Sequence, residues 1–593
     1  MSYESLKNDS DKRWQELTNG NVPWIRVSDA MCCGSSLGSD EIIEVLKTYS
    51  KANNLSINID TVGCHGLCYA GTIIYVLLPG NPRVFWGYIT PDNVVKTVDS
   101  YITNNKIVKQ NLLGSLGEES IKGVSNFTDL PGVKYQSRIA LKNSGNIAFN
   151  DIYQYIANDG FSGLNKALNS MSSGDVINEV KNSGLRGRGG AAFPTGVKWS
   201  FMANSNGKKY ILCNCEEGDP GAFNDKGILE SDPFTLIEGM IIAGYATNST
   251  NGYVFIRHGH EGPIVRTEQA IKQAYENGLL GENILGSGFS FDIEVSLTGD
   301  SYVAGEETAL MESIEGKSSR PRSRPPFPAA YGVWGHPSTI NNVKSLSYVA
   351  EIIRNGSEWF KSTGTESSSG TAIVCLSGDI TNPGMYEVEM GLSIGDVIEK
   401  LGGGIPGGRK LKMLQTGGPL GGVLGSDSLK VKIDFDEMAK AGAILGSGGI
   451  IVVDDRTCAV DLTKSLVAFC QYESCGKCFP CRLGMTHLLE IVEKISTGEG
   501  KIDDLALMNK IGKNMQAGSL CGHGQLGYNP ISSALKHFQK DFEECMNGNC
   551  PTGSCEKRNI VFPINTRPNA WQAKTGQVYQ GKVKTVQVMN DRK

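Results

Sequence analysis

Long hydrophobic runs are missing from this chain. Nowhere do about 20 apolar residues follow one another, so no direct membrane span is expected. The first twenty residues, MSYESLKNDSDKRWQELTNG, hold no apolar stretch of the kind a secretory leader needs, and the protein is expected to stay cytoplasmic. Basic runs are missing too. The formal net charge is -5 and the isoelectric point about 5.9, so no nucleic-acid partner is expected. There is no internal repeat and no low-complexity tract. Glycine and cysteine, by contrast, are plentiful. Glycine makes up 73 of 593 residues, above its usual share of roughly 7%, and much of it falls in short runs that suit loops approaching a ligand. In a reducing compartment, sixteen cysteines read as metal or cofactor ligands rather than disulfides.

A chain of this length is expected to divide into about four domains. Residues 1–20 read as a surface helix. VPWIRV, SINIDTV and IIYVLL read as strands and EIIEVLKTYSKA has helical period. ITPDNVVKTVDSYI reads as a closing helix with Pro at its first turn, which makes residues 23–110 a small α/β unit. A polar connector follows to about residue 150. From about 150 to 360 the chain is glycine-rich and mixed α/β, with strands YILCN, YVFIRH and FDIEVSL. Residues 370–450 show short strands and glycine turns, residues 456–545 are helical, and the last forty residues read as an extended arm.

ESCGKCFPCR and the later SLCGHG set Cys475, Cys478 and Cys481 at C-x2-C-x2-C spacing with Cys521 remote. Three thiolates so spaced wrap one face of a cubane and a distant fourth closes it, so a [4Fe–4S] cluster is expected. Zinc is the alternative, although its sites usually bring cysteines in pairs. A second set joins Cys32 and Cys33, in AMCCGSSLG, with Cys64 and Cys68, in VGCHGLC. A cysteine loop after a strand, with a C-x3-C loop further on, suits [2Fe–2S]. Leu37 stands where a C-x4-C pair would have its second cysteine, so either Cys33 substitutes or the cluster is incomplete. The third set, Cys545, Cys550 and Cys555, suits tetrahedral zinc, with Cys458 or His537 as fourth ligand; unliganded thiols are the bland alternative. Cys213, Cys215, Cys375 and Cys470 sit in apolar contexts and read as core.

NSGLRGRGGAAFPTGVKWSFM carries Gly187, Gly189, Gly190 and Ala192, superficially a G-x-G-x-x-A. The segment before it reads as a helix, not the strand a Rossmann fingerprint needs. A different phosphate loop is therefore expected, with bare N–H groups as the cradle and Arg188 and Lys198 adding positive charge. Phe193, Trp199 and Phe201 either stack on flat rings or pack in a core. NCEEGDPGAF supplies Asn214, Glu216, Glu217 and Asp219. Such acids accept from ribose hydroxyls, with a hydrolytic pair or a solvated loop as alternatives. SYVAGEETALMESIEGKSSRPRSRPPFP puts Gly305 before Glu306 and Glu307 at an expected helix start, and Arg320, Arg322 and Arg324 in a Pro-broken loop. TINNVKS adds Asn341 and Asn342, whose amides suit phosphate or ring-edge hydrogen bonds.

GLRGRGGAAFPTGVKW, EGDPGAF, AGEETALMESIEG, NNV and ESCGKCFPCR, in that order, together resemble the family of 51-kDa NADH-binding flavoprotein subunits of complex I. The resemblance is closer to the beta subunit of NAD-linked multimeric [FeFe]-hydrogenases and related electron-bifurcating oxidoreductases, and runs from about residue 20 to 556. It implies a multidomain α/β and α+β fold. The parts are a thioredoxin-like [2Fe–2S] domain over 1–110, a linker over 111–150 and an FMN/NADH-binding α/β domain over 151–365. Then come a β-grasp, ubiquitin-like soluble-ligand-binding module over 366–452, a helical [4Fe–4S] domain over 453–545, and a cysteine tail and arm over 546–593. FMN is expected on Gly187, Arg188, Gly189, Gly190, Lys198, Asn214, Glu216, Glu217, Tyr302, Gly305, Glu306, Glu307, Asn341 and Asn342. NADH is expected against Phe193, Phe201, Glu217, Glu307, Arg324 and Phe327; a family lysine near Arg324 is here an arginine. The tail CPTGSC resembles a hydrogenase-type zinc tail, with Cys545 where relatives carry a histidine. Unlike hydrogenase-type relatives, the chain has no cysteine after Cys555, so other subunits are expected to carry the current onward.

The implied chemistry is hydride transfer from nicotinamide C4 to flavin N5, which needs no side-chain acid or base. Electrons then pass singly to the [4Fe–4S] and [2Fe–2S] clusters and on to partners: a catalytic, cluster-bearing subunit, and a small thioredoxin-like [2Fe–2S] subunit. Glu216, Glu217 and Glu307 are expected to repel a 2′-phosphate and favour NADH over NADPH. Alternatives are a complex-I-type or formate-dehydrogenase NADH subunit, a flavin-less scaffold or binding module, and an interaction protein whose cysteines hold only structural zinc.

Overall fold

The computed structural model describes residues 2–30 and 34–555. Cys32, Cys33 and the arm expected beyond Cys555 lie outside the described residues. The expected surface helix, α1 (Tyr3–Thr18), begins at a Ser2 cap and turns Tyr3, Leu6 and Ser10 inward, so one side of it is packed. β1 (Trp24–Ser28), β2 (Asn58–Val62), β3 (Ile74–Leu77), β4 (Arg83–Trp86) and β5 (Leu112–Leu116) form a mixed sheet in the order β2-β1-β3-β4-β5. Only the β1–β2 pairing is parallel. With this sheet go α2 (Ser39–Ala52) and α3 (Pro91–Asn104), the latter entered through Pro91 behind a Thr90–Asn93 capping box.

The stretch 111–150, expected as a linker, is not one. It supplies β5, and Ile139, Leu141, Ile147 and Phe149 are buried. The N–H groups of Ile139, Ala140 and Leu141 donate to the buried Glu387 carboxylate at 3.0, 3.1 and 2.8 Å. Backbone that leaves water must find partners, and here it finds them on a strand more than two hundred residues away.

The second sheet is parallel: β6 (Tyr210–Cys215), β7 (Asn251–Arg257), β8 (Asp292–Thr298) and β9 (Ser338–Asn342), in the order β8-β7-β6-β9. Around it lie α4 (Ser173–Asn182), α5 (Thr195–Ala203), α6 (Asn224–Ser231), α7 (Pro233–Thr247), α8 (Glu261–Glu276) and α9 (Glu307–Ile314). α7 is buried nearly all round, as a helix apolar on every side must be. The chain steps outward from β6 to β8, then returns to lay β9 on the other side of β6. The strand order therefore reverses between β6 and β9, and ligands of open parallel sheets bind outside the carboxyl ends at such a point. Asn214 and Asn342 are register partners there.

β10 (Thr371–Gly378), β11 (Gly384–Glu389), β12 (Leu411–Thr416), β13 (Val423–Gly425) and β14 (Gly449–Asp454) form a third sheet, in the order β11-β10-β14-β12-β13. The helices α10 (Ala459–Tyr472), α11 (Phe479–Ser496), α12 (Ile502–Gly518), α13 (Gly522–Leu526) and α14 (Asn529–Met546) follow. They enclose a core of their own around Met485, Leu488, Val492, Ile531 and Phe542. Among the described residues no helix is long and apolar enough to cross a membrane.

Candidate functional site

The glycine loop joins α4 to α5, so a helix does precede it. It closes through Gly187 N–H on the Phe193 carbonyl, at 2.8 Å, and Arg188 N–H on Ser345 Oγ, at 2.9 Å. A Cβ at Gly189 would lie 2.7 Å from Asn342 Cβ, and Gly190 has φ +125, so this backbone tolerates no side chain beside the switch point. Arg188 departs from expectation. Its guanidinium is buried and donates to the carbonyls of Thr371, Arg186 and Ser369, at 3.1, 3.0 and 2.7 Å. It fastens the loop to β10 instead of presenting charge to a phosphate. Lys198 donates to the Ile340 carbonyl at 2.6 Å and pairs with Glu307.

The acids after β6 are held individually. Asn214 donates to the Gly305 carbonyl at 2.8 Å and accepts from Glu216 N–H at 3.1 Å. Glu216 is buried and pairs with Arg257 at 2.9 Å. Glu217 accepts from the N–H groups of Asp225 and Lys226, at 2.7 and 2.8 Å, where α6 begins. Burial, then the neighbouring Asp225, pushes its carboxyl up to about 7. The expected repulsion of a 2′-phosphate is thus blunted, because Glu216 and Glu307 already carry cationic partners. Glu306 caps α9, accepting from Thr308 and Ala309 N–H, and Arg324 stands 3.4 Å from Glu306 and 3.7 Å from Glu307. Arg322 turns away to Glu312 and Glu315.

Asn342 donates to Asp225 at 2.5 Å. Asn341 instead accepts from the Trp199 indole at 3.0 Å, which makes Trp199 core rather than a ring platform. Phe193, Phe201 and Phe327 are 46%, 56% and 60% exposed, free to cover a flat ligand, and the rings of Phe193 and Phe201 are 6.4 Å apart. Sequence reasoning missed Lys344, whose buried ammonium reaches Asn224 and Asp225 at 2.8 Å each. Nothing marks one lysine two residues beyond an Asn pair until the sheet brings Asp225 to it.

The cysteines form separate groups. Cys475 follows α10, Cys478 and Cys521 are the residues before α11 and α13, and Cys481 lies in the first turn of α11. Burial pushes the Cys481 thiol up to about 11, and Cys478, Cys521 and Cys475 add to it as near neighbours. Cys481 and Cys521 are buried while Cys475 and Cys478 are half-buried. A cavity of ≈ 660 Å³ adjoins them, lined by Cys478, Lys477, Leu520 and Arg324 among others. Cysteines at the end of α10, the starts of α11 and α13 and the first turn of α11 are the donor set an iron–sulfur cluster takes.

Cys458, Cys545, Cys550 and Cys555 bring their sulfurs within 4.8 Å of one another. A tetrahedral ion with bonds of about 2.3 Å separates its sulfurs by about 3.8 Å; the Cys458 and Cys545 sulfurs are 3.6 Å apart. His537, the competing ligand, lies 3.8 Å from Asp427 and outside this group. In the first sheet, Cys64 and Cys68 share the loop after β2, with Cys64 N–H on Ser231 Oγ at 3.1 Å. Cys213, Cys215, Cys375 and Cys470 are core, as expected.

Residues 180–351 match the Nuo51 FMN-binding domain, residues 461–545 the NADH-ubiquinone oxidoreductase-F iron–sulfur binding region, and residues 373–424 the SLBB domain. HndC, a subunit of the NADP-reducing hydrogenase of Solidesulfovibrio fructosivorans, is 45% identical over 424 residues, which span 71% of this chain and 86% of that protein. This chain belongs to the 51-kDa NADH-binding flavoprotein family. Its counterpart in the NADH-quinone oxidoreductase of Escherichia coli is 38% identical over 66% of this chain and 88% of its own length. An NAD+-reducing [NiFe]-hydrogenase in the air-oxidized state has the same fold, with a TM-score of 0.61 at 26% identity over 88% of this chain and 85% of that one. As a member of the 51-kDa family the chain is an FMN- and [4Fe–4S]-bearing oxidoreductase subunit, and the segments matched hold the glycine loop and the C-x2-C-x2-C run.

Proposed function

We propose that this chain takes hydride from NADH at an FMN held over the β6–β9 switch point and delivers electrons to a [4Fe–4S] cluster on Cys475, Cys478, Cys481 and Cys521. The observation that carries this is the meeting of the two sites: Arg324, paired to Glu306 and Glu307, lines the same cavity as Cys478. FMN, when bound, supplies hydride acceptance and one-electron release. Gly189 and Gly190 admit it closely, Asn214 and Asn342 offer amides at the strand ends, and Lys198 supplies positive charge. Phe193, Phe201 and Phe327 cover the nicotinamide dinucleotide and exclude water from it. No side chain acts as acid or base.

The mixed first sheet is read as thioredoxin-like, bearing [2Fe–2S] on Cys64 and Cys68 with Cys32 and Cys33. The third sheet is read as β-grasp. The four-thiolate group suits Zn2+ that ties α10 to α14. Current leaves to partner subunits of a cytoplasmic complex, of hydrogenase or bifurcating type; a catalytic, cluster-bearing protein is one partner and a small thioredoxin-like [2Fe–2S] protein another. The test is an anaerobic titration with excess NADH followed by absorbance, with benzyl viologen as final acceptor. Flavin bleaching with dye reduction is expected, and Cys481→Ser is expected to keep the bleaching but lose the dye reduction. No bleaching in protein that holds FMN would sink the proposal.

A further inference from the structure

The flavin region and the helical region meet at one side chain. Tyr302 opens the turn Tyr302–Gly305 that leads into α9. Its hydroxyl donates to Asp219 Oδ1 at 2.7 Å, in the loop after β6. Its backbone N–H donates to Glu473 at 3.0 Å, and Glu473 closes α10 two residues before Cys475. Its ring meets Phe469 of α10 edge-on with centroids 5.3 Å apart, and His523 of α13 at 5.7 Å. His523 stands two residues after Cys521, with Nε2 on the Cys470 carbonyl at 2.8 Å. Asp219 is backed in turn by the loop between β12 and β13, where a Cβ on Gly418 would come within 2.2 Å of its carboxylate.

We infer that Tyr302 is a positioning residue, one that sets the separation of the flavin site from the [4Fe–4S] site and, with His523, lines the route between them. This rests on the function proposed above. One residue holds the loop of Glu216 and Glu217 and both segments that carry cluster cysteines. The hydroxyl–carboxylate bond belongs to the strong, charge-assisted class. Backbone, ring and hydroxyl are each fixed, which is how a supporting residue holds two sites in constant geometry. No bond forms or breaks at Tyr302 itself. With FMN and the cluster bound, the electrons would come from NADH by way of the flavin, and Tyr302 would neither gain nor lose any; its role would be to hold the two sites in place.

Tyr302→Phe keeps the ring and removes the Asp219 bond; Tyr302→Leu removes the ring edges as well. In anaerobic full-length protein, flavin bleaching by NADH is followed by stopped flow and cluster reduction by freeze-quench EPR. Hydrogen exchange of segments 469–475 and 519–526 is read separately in the oxidised protein. Because Tyr302 is also expected beside FMN, the readout is the ratio of the two rates: cluster reduction is expected to slow more than bleaching in both variants. Cluster reduction is expected to slow, more in the leucine variant, by up to about 100-fold, with faster exchange in both segments. Asp219→Asn, which keeps an acceptor for the hydroxyl, is expected to slow it least. Cluster reduction at the wild-type rate in both Tyr302 variants overturns the inference, as does bleaching that slows in step with it. Wild-type, FMN-bearing protein that NADH does not bleach overturns the function beneath the inference, and the inference with it.

Discussion

Gly189 is a position where the backbone itself is the functional group. A Cβ there meets Asn342 Cβ at 2.7 Å, and Asn342 belongs to a strand that cannot yield freely. Gly189→Ala is expected to cost about 1–3 kcal/mol through overpacking and to release FMN, read as flavin absorbance per chain after gel filtration. Asp232 makes a pH-dependent contribution. It caps α7 while accepting from Asn143 at 2.8 Å, and burial pushes its carboxyl up to about 7 from an ordinary 3.8. The folded chain then keeps a proton that the unfolded chain has lost, so stability falls as pH rises from about 4 to about 7. Asp232→Asn still caps the helix and is expected to flatten that slope, as urea melts across this range would show; an unchanged slope would assign it to another group. At this scale the sequence was legible where chemistry is local. The glycine loop and the C-x2-C-x2-C run declare themselves by spacing. Arg188 and Lys344 do not, because their partners, Thr371, Ser369 and Asp225, come from elsewhere in the chain.

Among the elements, α10 and α14 meet at a group of four cysteine sulfurs. Cys458 precedes α10 and Cys545 lies in the last turn of α14. Cys545→Ser, or chelation of the wild-type protein, is expected to lower Tm by about 5 °C or more and to release zinc in amounts equimolar with the chain. An unchanged Tm with no zinc released would leave these as packed thiols. The long periodic elements, α2, α3 and the cluster helices, were readable because one face of each is apolar. β4, β5 and β9 were not. Length does not set them apart, since β1, β2 and β3 are as short and were read; β9 ends in two asparagines that resemble a turn. The supposed linker hid its burial for a related reason: its polar backbone is satisfied by one distant carboxylate, Glu387.

At the scale of the whole molecule, Arg324, beside Glu306 and Glu307 of the flavin region, lines one cavity with Cys478 and Lys477 of the helical region. Order along the sequence revealed the parts and their family, but not their junction, since Tyr302, Asp219, Glu473 and His523 come from four separate segments. The central claim is that one chain holds both the flavin and the cluster that drains it. Its most direct test is EPR of anaerobically purified protein before and after NADH, with FMN, iron and sulfide measured on the same sample. The account predicts equimolar FMN, iron and sulfide for at least one cubane, and a reduced-cluster signal that NADH develops and Cys481→Ser abolishes. Folded protein with bound iron, but no flavin and no NADH-dependent signal, would contradict it.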